Sequence, residues 1–231
     1  MEMKKKISLK SQDAALLFKI NFGFKRNLVD AAMHKVALLY NLAKRQNVYA
    51  YGELMKLYIA IEKLLQYIQA NIHRSRKQVK KKVGSIGNID APILIRYQLG
   101  FSNPIHFGLI QIIEKFDECA TLLLLAKNSQ VFAHQNGFFN VRSKIRKQVF
   151  RLLSDIVRIK TKEWPMVNFN HYLTHDEVYT AAQLIYGEIS PELLYNAIHS
   201  TATPALTPEG LNRITAALKK LATTKTDKKY S

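Results

Sequence analysis

The sequence predicts a mainly α-helical fold with two short strands. Three observations carry that expectation. Apolar residues recur at helical spacing through most of the 231 residues. Alternation of apolar and polar residues is confined to 4–10 and 93–99. Ser, Thr and Asn stand ahead of the helical runs, where capping side chains satisfy the first N–H groups.

In the first alternating stretch, Ile7 and Leu9 fall on one side and Lys6, Ser8 and Lys10 on the other, the pattern of a half-buried strand. Ser11 reads as an N-cap. Asp13 follows in the first turn, where the helix dipole favours negative charge, and Ala14, Leu17 and Phe18 form an apolar stripe. This short helix should stop at Asn21-Phe22-Gly23. A second helix is expected from about Asn27 to about Gln46, burying Leu28, Ala32, Val36, Leu39 and Ala43. A third, from Glu53, repeats Leu54, Leu57, Ile61, Leu65, Ile68, Ile72 and Val79 as a near-heptad seam, which suits either pairing between molecules or packing inside one domain.

Gly84, Gly87 and Asn88 break that helix, so 80–92 is expected to be a mobile loop. The second strand, Ile93 to Leu99, sets Arg96 and Gln98 opposite Ile95 and Tyr97. Ser102-Asn103-Pro104 then opens a helix that is apolar nearly all round, through Ile105, Leu109, Ile112, Ile113, Phe116 and Leu122 to Leu125, and should form the core. An amphipathic basic helix follows from Val141 to Lys160, burying Ile145, Val149, Leu152, Leu153 and Ile156. After Trp164-Pro165, three cap signatures each start a short helix: Thr174 with Glu177, Ser190-Pro191-Glu192 and Thr207-Pro208-Glu209.

Charge narrows the choice of partner. The 35 Lys and Arg residues against 17 Asp and Glu leave a formal net charge of +18, which points to a polyanion. The cations are clustered. Residues 1–45 hold ten against Glu2, Asp13 and Asp30; His73 to Lys82 hold six and no acid; Arg142 to Lys162 hold eight against Asp155 alone. Residues 171–218 carry Asp176, Glu177, Glu188, Glu192 and Glu209 with only Arg213. Clustered cations release condensed counterions on meeting nucleic acid, although each block alone would also suit a solvated helix face.

Other chemistries find little support. Asp13 and Lys19 interrupt any signal-peptide core, and the longest apolar stretch, 120–126, is far short of the ~20 residues of a membrane span, so a soluble protein is expected. The single cysteine, Cys119, has no mate and reads as a small buried hydrophobe, which suits a reducing compartment. His171 and His175 are four apart, but Tyr172 stands where a metalloprotease helix needs glutamate. The glycines of 84–88 lack the Lys-Ser/Thr of a phosphate loop. Hence no catalytic residue, metal, cofactor or small-molecule substrate is expected.

Strand, short helix, Gly-containing turn and longer helix is the order of a ribbon-helix-helix unit, in which two strands pair across a homodimer and fit the major groove. On that reading Lys6, Ser8 and Lys10 face base edges of double-stranded DNA. Lys4, Lys25, Arg26 and Asn27, with Arg74, Arg76, Lys77, Lys80, Lys81 and Lys82, would meet phosphates. The other placement open to the strand is pairing with Ile93–Leu99 in one sheet, which leaves the lysines solvated. The expected organisation is a ribbon-helix-helix-like DNA-binding element at 1–47, a helical body at 48–222 that can be continuous with it, and a disordered basic tail at 223–231.

The stretches GFSNPIHFGLIQIIEKFDECATLLLLAK, preceded by ILIRYQL, and LTHDEVYTAAQLIYGEISPELLYNAI resemble the AcaB-like family of conjugative plasmids and integrating conjugative elements. The resemblance extends from Ile7 to about Pro204. Its most specific element is the helix start at Phe101–Pro104 with Phe116-Asp117 downstream. It implies a dimeric transcriptional activator of conjugative transfer genes in the bacterial cytoplasm, associated with nucleoid or plasmid. A non-catalytic accessory or assembly protein of the conjugation apparatus, coating DNA through phosphates alone, is the alternative.

Overall fold

A computed structural model of the chain describes residues 3–21, 26–84, 91–128, 130, 135–161, 168–174 and 176–227. The elements are β1 (Met3–Leu9), α1 (Gln12–Leu16), α2 (Leu28–Lys44), α3 (Val48–Val83), β2 (Ile95–Phe101), α4 (Pro104–Asn128), α5 (Gln135–Arg158), α6 (Phe169–Thr174), α7 (Asp176–Tyr186), α8 (Pro191–Ile198) and α9 (Pro208–Asp227). They form two compact units, one comprising Met1–Lys35, Ala60–Ser102 and His106–Arg158, the other Val36–Ile59, Asn103–Ile105 and Ile159–Ser231. β1 takes its partner strand from beyond residue 47, and 1–35 groups with that strand.

The first unit is built under a two-stranded antiparallel sheet in which Met3 pairs with Phe101, Lys6 with Gln98 and Leu9 with Ile95. Ile7, Leu9 and Leu99 turn inward and are buried, as the alternation required. β2 begins two residues later than expected, because Ile93 and Leu94 are exposed and only the Leu94 N–H, bonded to the Leu9 carbonyl, continues the ladder. Ser11 caps α1 as expected, its Oγ accepting from the Ala14 N–H at 3.2 Å. Leu109, Ile113, Phe116 and Leu122 of α4 and Ile145, Val149, Leu153 and Ile156 of α5 are buried. A Cβ on Gly108 would lie 2.8 Å from Ile61 Cγ2, so only glycine lets α4 approach α3 this closely.

The near-heptad seam of α3 is buried within the single chain at Leu54, Leu57, Ile61, Leu65, Ile68, Ile72 and Val79, which removes it as a free coiled-coil face. α3 also begins at Val48, ahead of the expected Glu53, because Asn47 caps it through Oδ1 to the Ala50 N–H at 3.0 Å. It continues through Val83, into the stretch expected to be a loop; 85–90 lie outside the described residues.

In the second unit, α2 closes with Gln46 in the left-handed region at φ 63. The Asn47 N–H bonds back to the Leu42 carbonyl and the Gln46 N–H to that of Ala43, which satisfies two of the helix's last carbonyls. Tyr51, fully buried, donates to the Pro204 carbonyl at 2.8 Å and meets the Phe169 ring at 5.0 Å. Ser190 caps α8, and Thr207 accepts from the Gly210 N–H at the start of α9. Thr174 ends α6, a helix that was not expected and that contains His171; His175 and Trp164-Pro165 lie outside the described residues. α9 is 20 residues long and runs to Asp227, into the tail expected to be disordered.

Candidate nucleic-acid interface

Because β1 and β2 pair antiparallel with Lys6 opposite Gln98 and Ser8 opposite Arg96, their outward residues share one face. Lys4, Lys6, Ser8, Arg96 and Gln98 are all exposed there, and directly opposite pairs stand about 5 Å apart at Cβ. Among the described residues, no acidic side chain pairs with Lys4, Lys6 or Arg96. The strand thus takes the in-sheet placement, with the ribbon completed by its own chain. Lys10 lies past the end of β1 and is half-buried.

Three sets of contacts hold this face rigid from below. Lys5, on the inner face, reaches Glu114 of α4 at 2.7 Å and lies 5.7 Å from the Phe107 ring. Asp117, buried on α4, accepts from the backbone N–H groups of Lys10 at 3.0 Å and Ser11 at 2.7 Å, fixing the strand-to-helix turn. Tyr97 of β2 donates to Asp30 Oδ2 at 2.6 Å and packs on Phe18 with ring centroids 4.6 Å apart. That bond to Asp30 is the largest of the influences that hold the Tyr97 hydroxyl above its ordinary value, with burial next.

The expected phosphate-binding residues divide into groups. Arg26 is exposed, whereas Asn27 is engaged: its Oδ1 accepts from the Asp30 N–H at 2.8 Å, and its Nδ2 donates to Asp30 Oδ2 and to the Tyr97 hydroxyl. Lys25 lies outside the described residues. Burial, Arg26 and Lys35 together hold the His34 imidazole below its ordinary value. On the last turns of α3, Arg74, Lys77, Lys80 and Lys81 are exposed around a buried stripe of Ile72, Ser75 and Val79. Arg76 is paired with Glu118 at 2.5 Å, and Lys82 donates to the Gln130 carbonyl.

Sequence reasoning put Arg96 and Gln98 on the polar side of β2 without giving them a role; the cross-strand register sets them opposite Ser8 and Lys6. Asp13, read from the sequence only as a first-turn acid, is buried; Arg142 grips it with Nε at 2.5 Å and Nη2 at 2.9 Å, and Arg146 approaches it at 3.6 Å. Cys119 is buried, and burial, with Glu118 adding, pushes its thiol up to about 12. The chain matches no protein-family model, no curated protein and no solved structure. No helix among the described residues is long and apolar enough to cross a membrane.

Proposed function

We propose that the protein is a non-enzymatic, sequence-specific double-stranded DNA-binding regulator of a mobile element, an activator of conjugative transfer genes as the AcaB-like resemblance implies. The observation that carries this reading is the outward face of the two-stranded sheet, where Lys4, Lys6, Ser8, Arg96 and Gln98 stand together. A two-stranded ribbon fits the major groove, where arginine and lysine read guanine, glutamine reads adenine through two bonds, and serine serves either. The exposed cations of α3 supply the phosphate contacts that fix position but carry no sequence information.

The homodimer belongs to the same reading. β1 has β2 on one edge, and a second copy of β1 on its other edge would make a four-stranded ribbon in the strand-helix-helix order of β1, α1 and α2. Bringing two lysine-rich strands together is repulsive in water and is relieved by phosphates, so dimerisation and DNA binding should be coupled. Sedimentation with and without duplex tests this: a dimer that forms or strengthens on DNA is expected, and a monomer at saturating duplex contradicts it.

The rival reading, a DNA-coating accessory protein, is favoured by the cations of α3 and α5, which suit phosphates alone. Competition against random-sequence duplex decides between them. A regulator keeps its selected site at a salt level that strips nonspecific complexes, whereas a coating protein loses both together.

A further inference from the structure

We propose that the outward stripe of α5 is a second nucleic-acid site, one that takes single strands and acts independently of the sheet face. Phe139, Arg142, Ser143, Arg146, Lys147 and Phe150 line one shallow groove, and their spacing puts them on one helix face. The two phenyl rings lie three turns apart, about 16 Å along the axis, with the cations between them. Phe139 is 46% exposed, although it is large and apolar. Each ring carries a cation: Lys127 Nζ lies 5.6 Å from the Phe139 centroid, and the Arg146 guanidinium 5.6 Å from that of Phe150. Arg142 is committed to Asp13, and Arg146 approaches the same carboxylate at 3.6 Å through one nitrogen, so Lys147, exposed and among the described residues without an acidic partner, is the charge the stripe offers outward, with the exposed Arg146 guanidinium beside it.

An exposed phenyl ring gains nothing from the phosphates of a duplex, whose bases are already stacked. It gains from a base freed from its stack, and rings alternating with cations that follow the backbone are how proteins hold single strands without sequence preference. A lipid surface is disfavoured because the apolar side of α5 is already buried at Ile145, Val149, Leu153 and Ile156, leaving no apolar face to enter a membrane interface.

The test is fluorescence anisotropy of a labelled oligothymidylate of about 20 nucleotides, longer than one binding unit covers. The intact chain should bind it at low salt, Phe139→Ala should weaken binding about tenfold, and Phe139→Tyr should restore it. Gln98→Ala should leave this affinity unchanged, so failure here is separable from failure of the duplex reading. Absence of an oligothymidylate complex, or equal affinity in Phe139→Ala and the wild type with unaltered circular dichroism, overturns the proposal. So does binding to phosphatidylglycerol vesicles, in place of the oligonucleotide, that Phe139→Ala abolishes.

Discussion

Arg142 closes on the carboxylate of Asp13 with two bonds, Nε to Oδ2 at 2.5 Å and Nη2 to Oδ1 at 2.9 Å, while Asp13 is only 2% exposed. The pair joins the first turn of α1 to the first half of α5. Removing the arginine takes both close bonds from a buried carboxylate and leaves it only Arg146, at 3.6 Å. Because the guanidinium is about a third exposed, Arg142→Ala should cost about 2 kcal/mol, less than the ~3–5 kcal/mol of a fully buried pair. Arg142→Lys, unable to form the two-pronged contact, should recover only part of that loss. Urea denaturation followed by circular dichroism measures it; a loss under about 0.5 kcal/mol would mean that the pair is structurally idle.

Gln46 pays a conformational cost that its helix end requires. A side chain at φ 63 is strained, and glycine at that position is not. Gln46→Gly should therefore stabilise the chain by about 1 kcal/mol, read as a raised urea midpoint at unchanged slope. A lowered midpoint would show that the Gln46 side chain contributes more than its backbone costs.

Cys119 should be inert in the folded protein. Its thiol is held at about 12 against an ordinary 9.0, so the fold favours the neutral form. The stabilising contribution is complete below the ordinary value and fades as pH climbs from there through about 12. At about pH 8, labelling by an aromatic disulfide reagent should track unfolding, since the thiolate is the reactive form. Labelling of native protein at the rate of a free thiol would contradict the burial.

The local features were the most legible in the sequence. Ile7 and Leu9 against Lys6 and Ser8 defined β1 and its inward face, and Ser11, Ser190 and Thr207 marked helix starts, because alternation and capping are short-range patterns. The long-range pairings were not legible. Nothing near Asp13 names Arg142, and nothing near Gly108 names Ile61, because helix approach and ion pairing depend on tertiary placement. The cap at Asn47 is hard to read because Gly52 and the neighbouring aromatics weaken the helical pattern of 48–52. At the candidate site, β1 contributed residues that could be named in advance. Arg96 and Gln98 became part of the face only through the register that sets them against Ser8 and Lys6.

The most direct measurement is the affinity of the chain for a duplex selected from a randomised pool, compared with that of Arg96→Ala and Gln98→Ala. Each substitution should weaken the selected site by about tenfold or more and relax preference at one base position, with random-duplex affinity and circular dichroism unchanged. Lys4→Ala should instead weaken all sequences alike and lower the salt slope by about one. Equal affinity for the selected site in all three variants and the wild type would remove the sheet face from DNA recognition.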